Sequence, residues 1–173
     1  MKKETDRMLA RIDRLLKVGK NEQAECLLDY LQDLTERAEK KRKWADVIRL
    51  ARARLRILAT MPPDKYKAPE DDCYWDIVNA QHKAGDVLKG LETLDEFKRN
   101  YYSDENASEE EKIAYIQAHQ AEFYAELGQI NRALSLNQHA ILALQEERPE
   151  KCVAGNTARR ASRRRTRWVT WPW

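Results

Sequence analysis

The sequence predicts an all-α fold, an α-solenoid of antiparallel helix pairs, and three observations carry that prediction. Gly and Pro are scarce, five each in 173 residues, while Ala, Leu, Glu, Lys and Arg abound, which is the composition of helix rather than of turns and strands. Glycines at positions 85 and 128 each join an aromatic-containing amphipathic run to a second run with small residues, and the same step of 43 residues backwards lands on Arg42, ahead of KWADVIRLA. Self-similarity at a fixed period marks an array of stacked units. Such an array exposes an extended surface, so the expected work is binding rather than catalysis.

Seven helices follow in order. Residues 4–18 place Met8, Ile12, Leu15 and Leu16 at helical spacing, and Gly19 stops the run. A second helix starts near Asn21, a good N-cap, and carries Ala24, Leu27, Leu28, Leu31 and Leu34 through to Lys41. The third, from Lys43 to Ala59, has Trp44, Val47, Ile48, Ala51, Leu55 and Leu58, and Met61, Pro62 and Pro63 end it. Three prolines between 62 and 71 predict a connecting loop, since Pro lacks the helical N–H and biases its predecessor away from helix. The fourth helix runs from Asp71 to Ala84, its acidic start suiting the positive end of the helix dipole. The fifth spans Val87 to Tyr101. After the polar loop SDENA, Ser108 and Glu111 form a capping box for the sixth, which reaches Leu127. Gly128 breaks the chain, and the seventh ends near Glu147, before Pro149.

These helices form three pairs, near 22–60, 71–101 and 108–147, preceded by one capping helix, within a repeat domain of residues 1–150. A single pair cannot bury both of its apolar faces, and about three repeats are the minimum for a stable stack.

Composition narrows the setting. With 42% hydrophobic and 35% charged residues, the chain can form a core beneath a very polar surface. No stretch approaches the roughly 18–20 apolar residues of a membrane helix, and the N-terminus alternates charge with apolar residues instead of presenting a signal-peptide core, so a cytoplasmic location is expected. The three cysteines, Cys26, Cys73 and Cys152, are far apart and lack C-x-x-C spacing; packing is the expected role of the first two. Phosphate loops, nucleophile elbows and H-E-x-x-H spacing are absent, and no enzyme activity, cofactor or metal is expected.

The run AEFYAELGQINRALSLNQHAILAL resembles a tetratricopeptide repeat, with small Ala121, Ala133 and Ala140 where helices approach, Tyr124 beside them and Gly128 at the turn. The preceding unit keeps Tyr74, Ile77, Gly85 and Gly90 but has Phe97 in place of the second Ala, and the first keeps Ala38 and Trp44 with Arg42 in place of the turn Gly. The likeness covers residues 22–148, with a period of 43 instead of the usual 34 or so. It implies a right-handed stack in which the first helix of each pair lines an inner groove for peptides or partner helices.

On that reading the groove of the middle pair presents Trp75, Asn79, His82 and Lys83, an aromatic anchor beside polar groups able to grip a peptide backbone. The last pair adds Tyr115, Ala118, Glu122 and Glu126, and the first adds Gln32, Glu36 and Glu39; the acids suggest a basic ligand. Of the family's carboxylate-gripping Lys and Asn set, Asn79 alone matches. His82, His119 and His139 fall on different helices with no partner assigned by spacing. Arg37 to Arg56 holds nine basic residues against two acids, best read as an exposed helix whose arginines spread over apolar neighbours.

Residues 151–173 form a separate basic tail. Lys151, Arg159, Arg160, Arg163, Arg164, Arg165 and Arg167 stand there without an acid, which leaves the body at about −4 within a whole-chain charge of +3. Arg with three tryptophans suits nucleic-acid backbones or an anionic membrane surface, and the basic tail could also lie in the acidic groove of its own or another copy. The abrupt change of composition equally fits an extension without an evolved role. The partner expected first is a protein or peptide, with homo-oligomerisation and nucleic-acid binding through the tail as alternatives.

Overall fold

The computed structural model describes residues 2–61, 67–102 and 110–146. Among them no strand occurs. The helices are α1 Lys2–Lys17, α2 Asn21–Glu25, α3 Leu28–Lys40, α4 Trp44–Leu58, α5 Lys67–Lys83, α6 Val87–Tyr102, α7 Glu110–Glu126 and α8 Ile130–Glu146. From α3 onward each helix packs on the next, and α1 lies on both α2 and α4. No described helix is long and apolar enough to cross a membrane. The basic tail and Ser108 of the expected capping box lie outside the described residues.

The turns share one backbone solution. Arg42, Gly85 and Gly128 have φ of +52°, +78° and +74°, and Gly19 has +70°. At each of the four, the residue after the left-handed position donates its N–H five residues back: Lys20 to Leu15, Lys43 to Ala38, Asp86 to Gln81 and Gln129 to Tyr124, all at 2.8–2.9 Å. The left-handed residue itself donates three residues back, Arg42 to Glu39 and Gly85 to His82 among them. This is the Schellman arrangement, which satisfies the last carbonyls of a helix and reverses the chain. Arg42 therefore does the work of the glycines that stand 43 and 86 residues further on, at the steric cost of a Cβ in the left-handed region.

Three boundaries differ from the sequence expectation. The helix expected over 21–41 is broken at Cys26 and Leu27, where Leu27 N–H donates to Ala24, a tightening to three-residue bonds. Beyond the kink, Leu27 and Leu28 both pack on the first core. Asn21 is not a cap: the Schellman turn holds the Lys20 N–H, so Lys20 takes the cap position and Asn21 begins the helix. α5 starts at Lys67, inside the segment expected to be a loop. Pro69 is tolerated there because first-turn N–H groups have no intrahelical acceptor to lose.

Two apolar clusters fill the body. The first gathers Ile12, Leu31, Leu34, Val47, Leu50 and Ile57 around Ala24, Ala38 and Ala53. The second gathers Tyr74, Val78, Leu94, Phe97, Ile116 and Phe123. α5 belongs to both, sending Ala80 into the first and Tyr74 and Val78 into the second. Cys73 is fully buried and burial pushes its thiol up to about 12, whereas Cys26 is exposed at the kink, contrary to its expected packing role.

The arginines of α4 are ties between helices. Arg49 reaches Asp6 and Arg56 reaches Asp13, each at 2.7 Å across 43 residues, and Arg52 reaches both carboxylate oxygens of Glu96 at 2.7 and 2.8 Å across 44. Arg54, with a side chain only 7% exposed, meets Asp76 at 2.9 Å. Burial raises the Asp76 carboxyl above its ordinary range, with Arg54 pulling it back. Within the basic run, Arg49, Arg52, Arg54 and Arg56 thus pair with acids on three neighbouring helices.

Two outcomes follow for stability. Arg42→Gly is expected to raise the unfolding free energy by about 0.5–1 kcal/mol, and Gly85→Ala to lower it by about 1 kcal/mol, since only Gly occupies this region without steric cost. Urea unfolding reads both, and a less stable Arg42→Gly chain would show that the Arg42 side chain holds its turn. Gly90 lies against Phe123, whose ring edge falls well inside van der Waals contact of any added Cβ. Gly90→Ala should therefore cost about 1–3 kcal/mol by overpacking, although the same change in an open helix would gain up to about 1 kcal/mol. A stabilised Gly90→Ala chain would disprove that close approach.

Candidate functional site

The first helices of the three pairs, α3, α5 and α7, meet through side chains one repeat step apart. Lys83 Nζ donates to Glu39 Oε1 at 2.9 Å, linking α5 to α3 across 44 residues. His82 Nε2 and Glu126 Oε1 lie 2.6 Å apart, linking α5 to α7 across another 44. The Trp75 and His119 rings, with centroids 4.8 Å apart, make a third contact between α5 and α7 at the same step. The helix-ending turns set this register by fixing where each first helix stops.

Three stations result. At the α3 end an open hollow of about 750 Å³ is lined by Glu36, Glu39, Lys40, Arg42, Trp44 and Lys83, with the Lys83 ammonium 5.1 Å from the centre of the Trp44 ring. In the middle, His82 rests its ring on Phe123 with centroids 4.8 Å apart, and its donor atom and those of Glu122 and Glu126 all lie within 4.8 Å of one another. His119 Nδ1 stands 3.5 Å from Glu122 Oε2. At the other end a cavity of about 220 Å³ is lined by Asp71, Trp75, Phe97, Tyr115 and His119. Trp75 meets Phe97 edge-on at 5.3 Å, so one side of its ring belongs to the core.

Of the residues expected in the groove, all but Asn79, Ala118 and Gln32 fall into these stations, Glu36 and Glu39 in the first. Lys83 joins the first, His82, Glu122 and Glu126 the second, and Trp75 and Tyr115 the third. Asn79 is exposed on α5 between the second and third. The expected acidic stripe is a mixed one: Glu39 is matched by Lys83, and Glu126 faces His82.

His119, Trp44 and Phe123 complete the stations and were not among the residues expected there. The signal for His119 was present, because it stands 44 residues after Trp75. His82 and His119 do have partners assigned by spacing, once the repeat step is used as the spacing. Phe123 carried no such signal, since an aromatic in a helix that packs on two neighbours can point to either.

Two other polar groups lie beneath this face. Burial, followed by the nearby Glu96 carboxylate, pushes the Tyr74 hydroxyl up to about 12. Gln120 Nε2 donates to Asp95 Oδ1 at 2.6 Å, tying α7 to α6. Both hold helices together.

Compared with known protein families, curated proteins and solved structures, the chain has no match in any of the three.

Proposed function

We propose that this chain is a non-enzymatic interaction module, a tetratricopeptide-like, right-handed α-solenoid of three long repeats capped by α1, acting in the cytoplasm as an adaptor or regulator. It takes a peptide or helical segment of a partner protein along the face of α3, α5 and α7. The observation that carries this reading is the register: cross-helix ties join residues 43 or 44 apart on the first helices and on the second helices alike. A constant step of that kind is what stacked repeats produce. The pairs Asp6–Arg49 and Asp13–Arg56 give α1 the register of a second helix, which suits a cap. Along the first helices, exposed Asn79 stands between the stations and exposed Tyr115 lines the third, a mixture suited to a peptide's backbone and side chains.

Selection of peptides from a displayed random library against the full chain tests the proposal. Peptides recovered on the parent chain should lose about tenfold in affinity, or about 1.4 kcal/mol, with Asn79→Ala and with Tyr115→Ala. Leu88→Ser, on an exposed position of α6, should leave affinity unchanged. Peptides indifferent to both groove changes, or bound only while residues 151–173 are present, would refute the groove reading.

One further observation favours assembly as a second reading. On α8, Ile130, Leu134, Ile141 and Leu142 are 53–56% exposed, an apolar surface such as a second copy would cover. Sedimentation over a wide concentration range should then show a dimer that Leu134→Glu returns to monomer, and a parent chain monomeric throughout would dismiss this reading.

A further inference from the structure

We propose that His82, Glu122 and Glu126 form a binding site for a divalent transition-metal ion, zinc foremost, at the seam between α5 and α7. This site does not depend on any peptide lying on the same face.

The donor set comes from two helices brought together by packing. Glu122 and Glu126 stand four residues apart on α7, the spacing that puts two side chains on one face of a helix. His82 comes from the last turn of α5, and its ring lies against Phe123 at a tilt of 43°. Its Nε2 faces the α7 carboxylates, 2.6 Å from Glu126. The three donor atoms already lie within 4.8 Å of one another. Zinc bound at about 2.0–2.2 Å in a tetrahedron spaces its donors by roughly 3.4 Å. The ion therefore needs only rotamer-scale adjustments: His82 and Glu126 part by less than about 1 Å, and Glu122 closes in.

The chemistry of the set selects the ion. Two carboxylates balance a dication, and one imidazole nitrogen turns preference away from calcium and magnesium, which favour oxygen alone, towards zinc and its neighbours. His119 lies behind Glu122 at 3.5 Å and is itself held against Trp75, so a ligand carboxylate has an outer partner, as bound carboxylates usually do. Three protein donors on a partly exposed seam leave a fourth position for water or a partner's side chain. A bound ion would also replace a single His82–Glu126 contact with a joint that locks the second repeat to the third.

Titration of the chelator-treated, desalted full chain with zinc chloride, followed by calorimetry, tests the site. One equivalent is expected to bind, calcium chloride at equal concentration is expected to give no binding, and the thermal midpoint should rise with zinc. His82→Ala and Glu126→Gln should each weaken zinc binding by about tenfold or more, since even the loss of an outer partner costs about 10–100-fold. His139→Ala, on α8, should change nothing. Circular dichroism verifies that each variant keeps its helix content, and the near-isosteric Glu126→Gln decides the matter if His82→Ala does not fold. No stoichiometric zinc binding, or binding that survives in a folded Glu126→Gln chain, overturns the proposal and leaves His82–Glu126 as a plain contact between helices.

Discussion

The left-handed turn that closes the first helix of each pair is the constraint on which the rest depends. Its two backbone hydrogen bonds, repeated at 42, 85 and 128, stop every first helix at the same point and reverse the chain into the second. Because the stopping point recurs every 43 residues, side chains at equivalent positions of successive pairs face one another. The ion pairs of α4 with α1 and α6, and the contacts of α5 with α3 and α7, all follow from that register. A turn displaced by one residue would rotate the following helix by about 100° and separate these partners together.

Packing then gives the pairs unequal roles. α1 and α3 bury one stripe each, so their apolar residues recur with helical periodicity. α5 and α7 lie between two neighbours and bury side chains on more than one side. α5 serves two clusters at once, with Ala80 in the first and Tyr74 and Val78 in the second. It is the common wall of the body. Arg54 and Asp76 join α4 to that wall as a largely buried pair; such a pair adds little net stability but penalises any arrangement that separates it.

The exposed face of the first helices inherits its character from the same arrangement. Lys83 meets Glu39 and His82 meets Glu126 one step away, beside the cavity lined by Trp75, Tyr115 and His119. His82, Glu122 and Glu126 converge because the end of α5 and the last turns of α7 arrive at the same level. Their sequence neighbours Lys83 and Phe123 serve other contacts, to Glu39 and to the second core.

Much of this was legible in the chain itself. Gly85 and Gly128 marked the turns, the apolar spacing marked helices within a few residues of their observed ends, and the 43-residue step pointed to Arg42 as a turn residue despite its side chain. Local chemistry determines such features: backbone freedom at glycine, helical spacing of apolar groups and the missing N–H of proline act over a few residues. Other features needed neighbours. The kink at Cys26, the early start of α5 at Lys67 and the burial of Arg54 are outcomes of tertiary packing that no local propensity encodes. Which glutamate each histidine meets was also decided there. The repeat step brings several candidates within reach, and only the rotation and level of α5 against α7 set His82 against Glu126 with Glu122 close by and His119 beside Glu122.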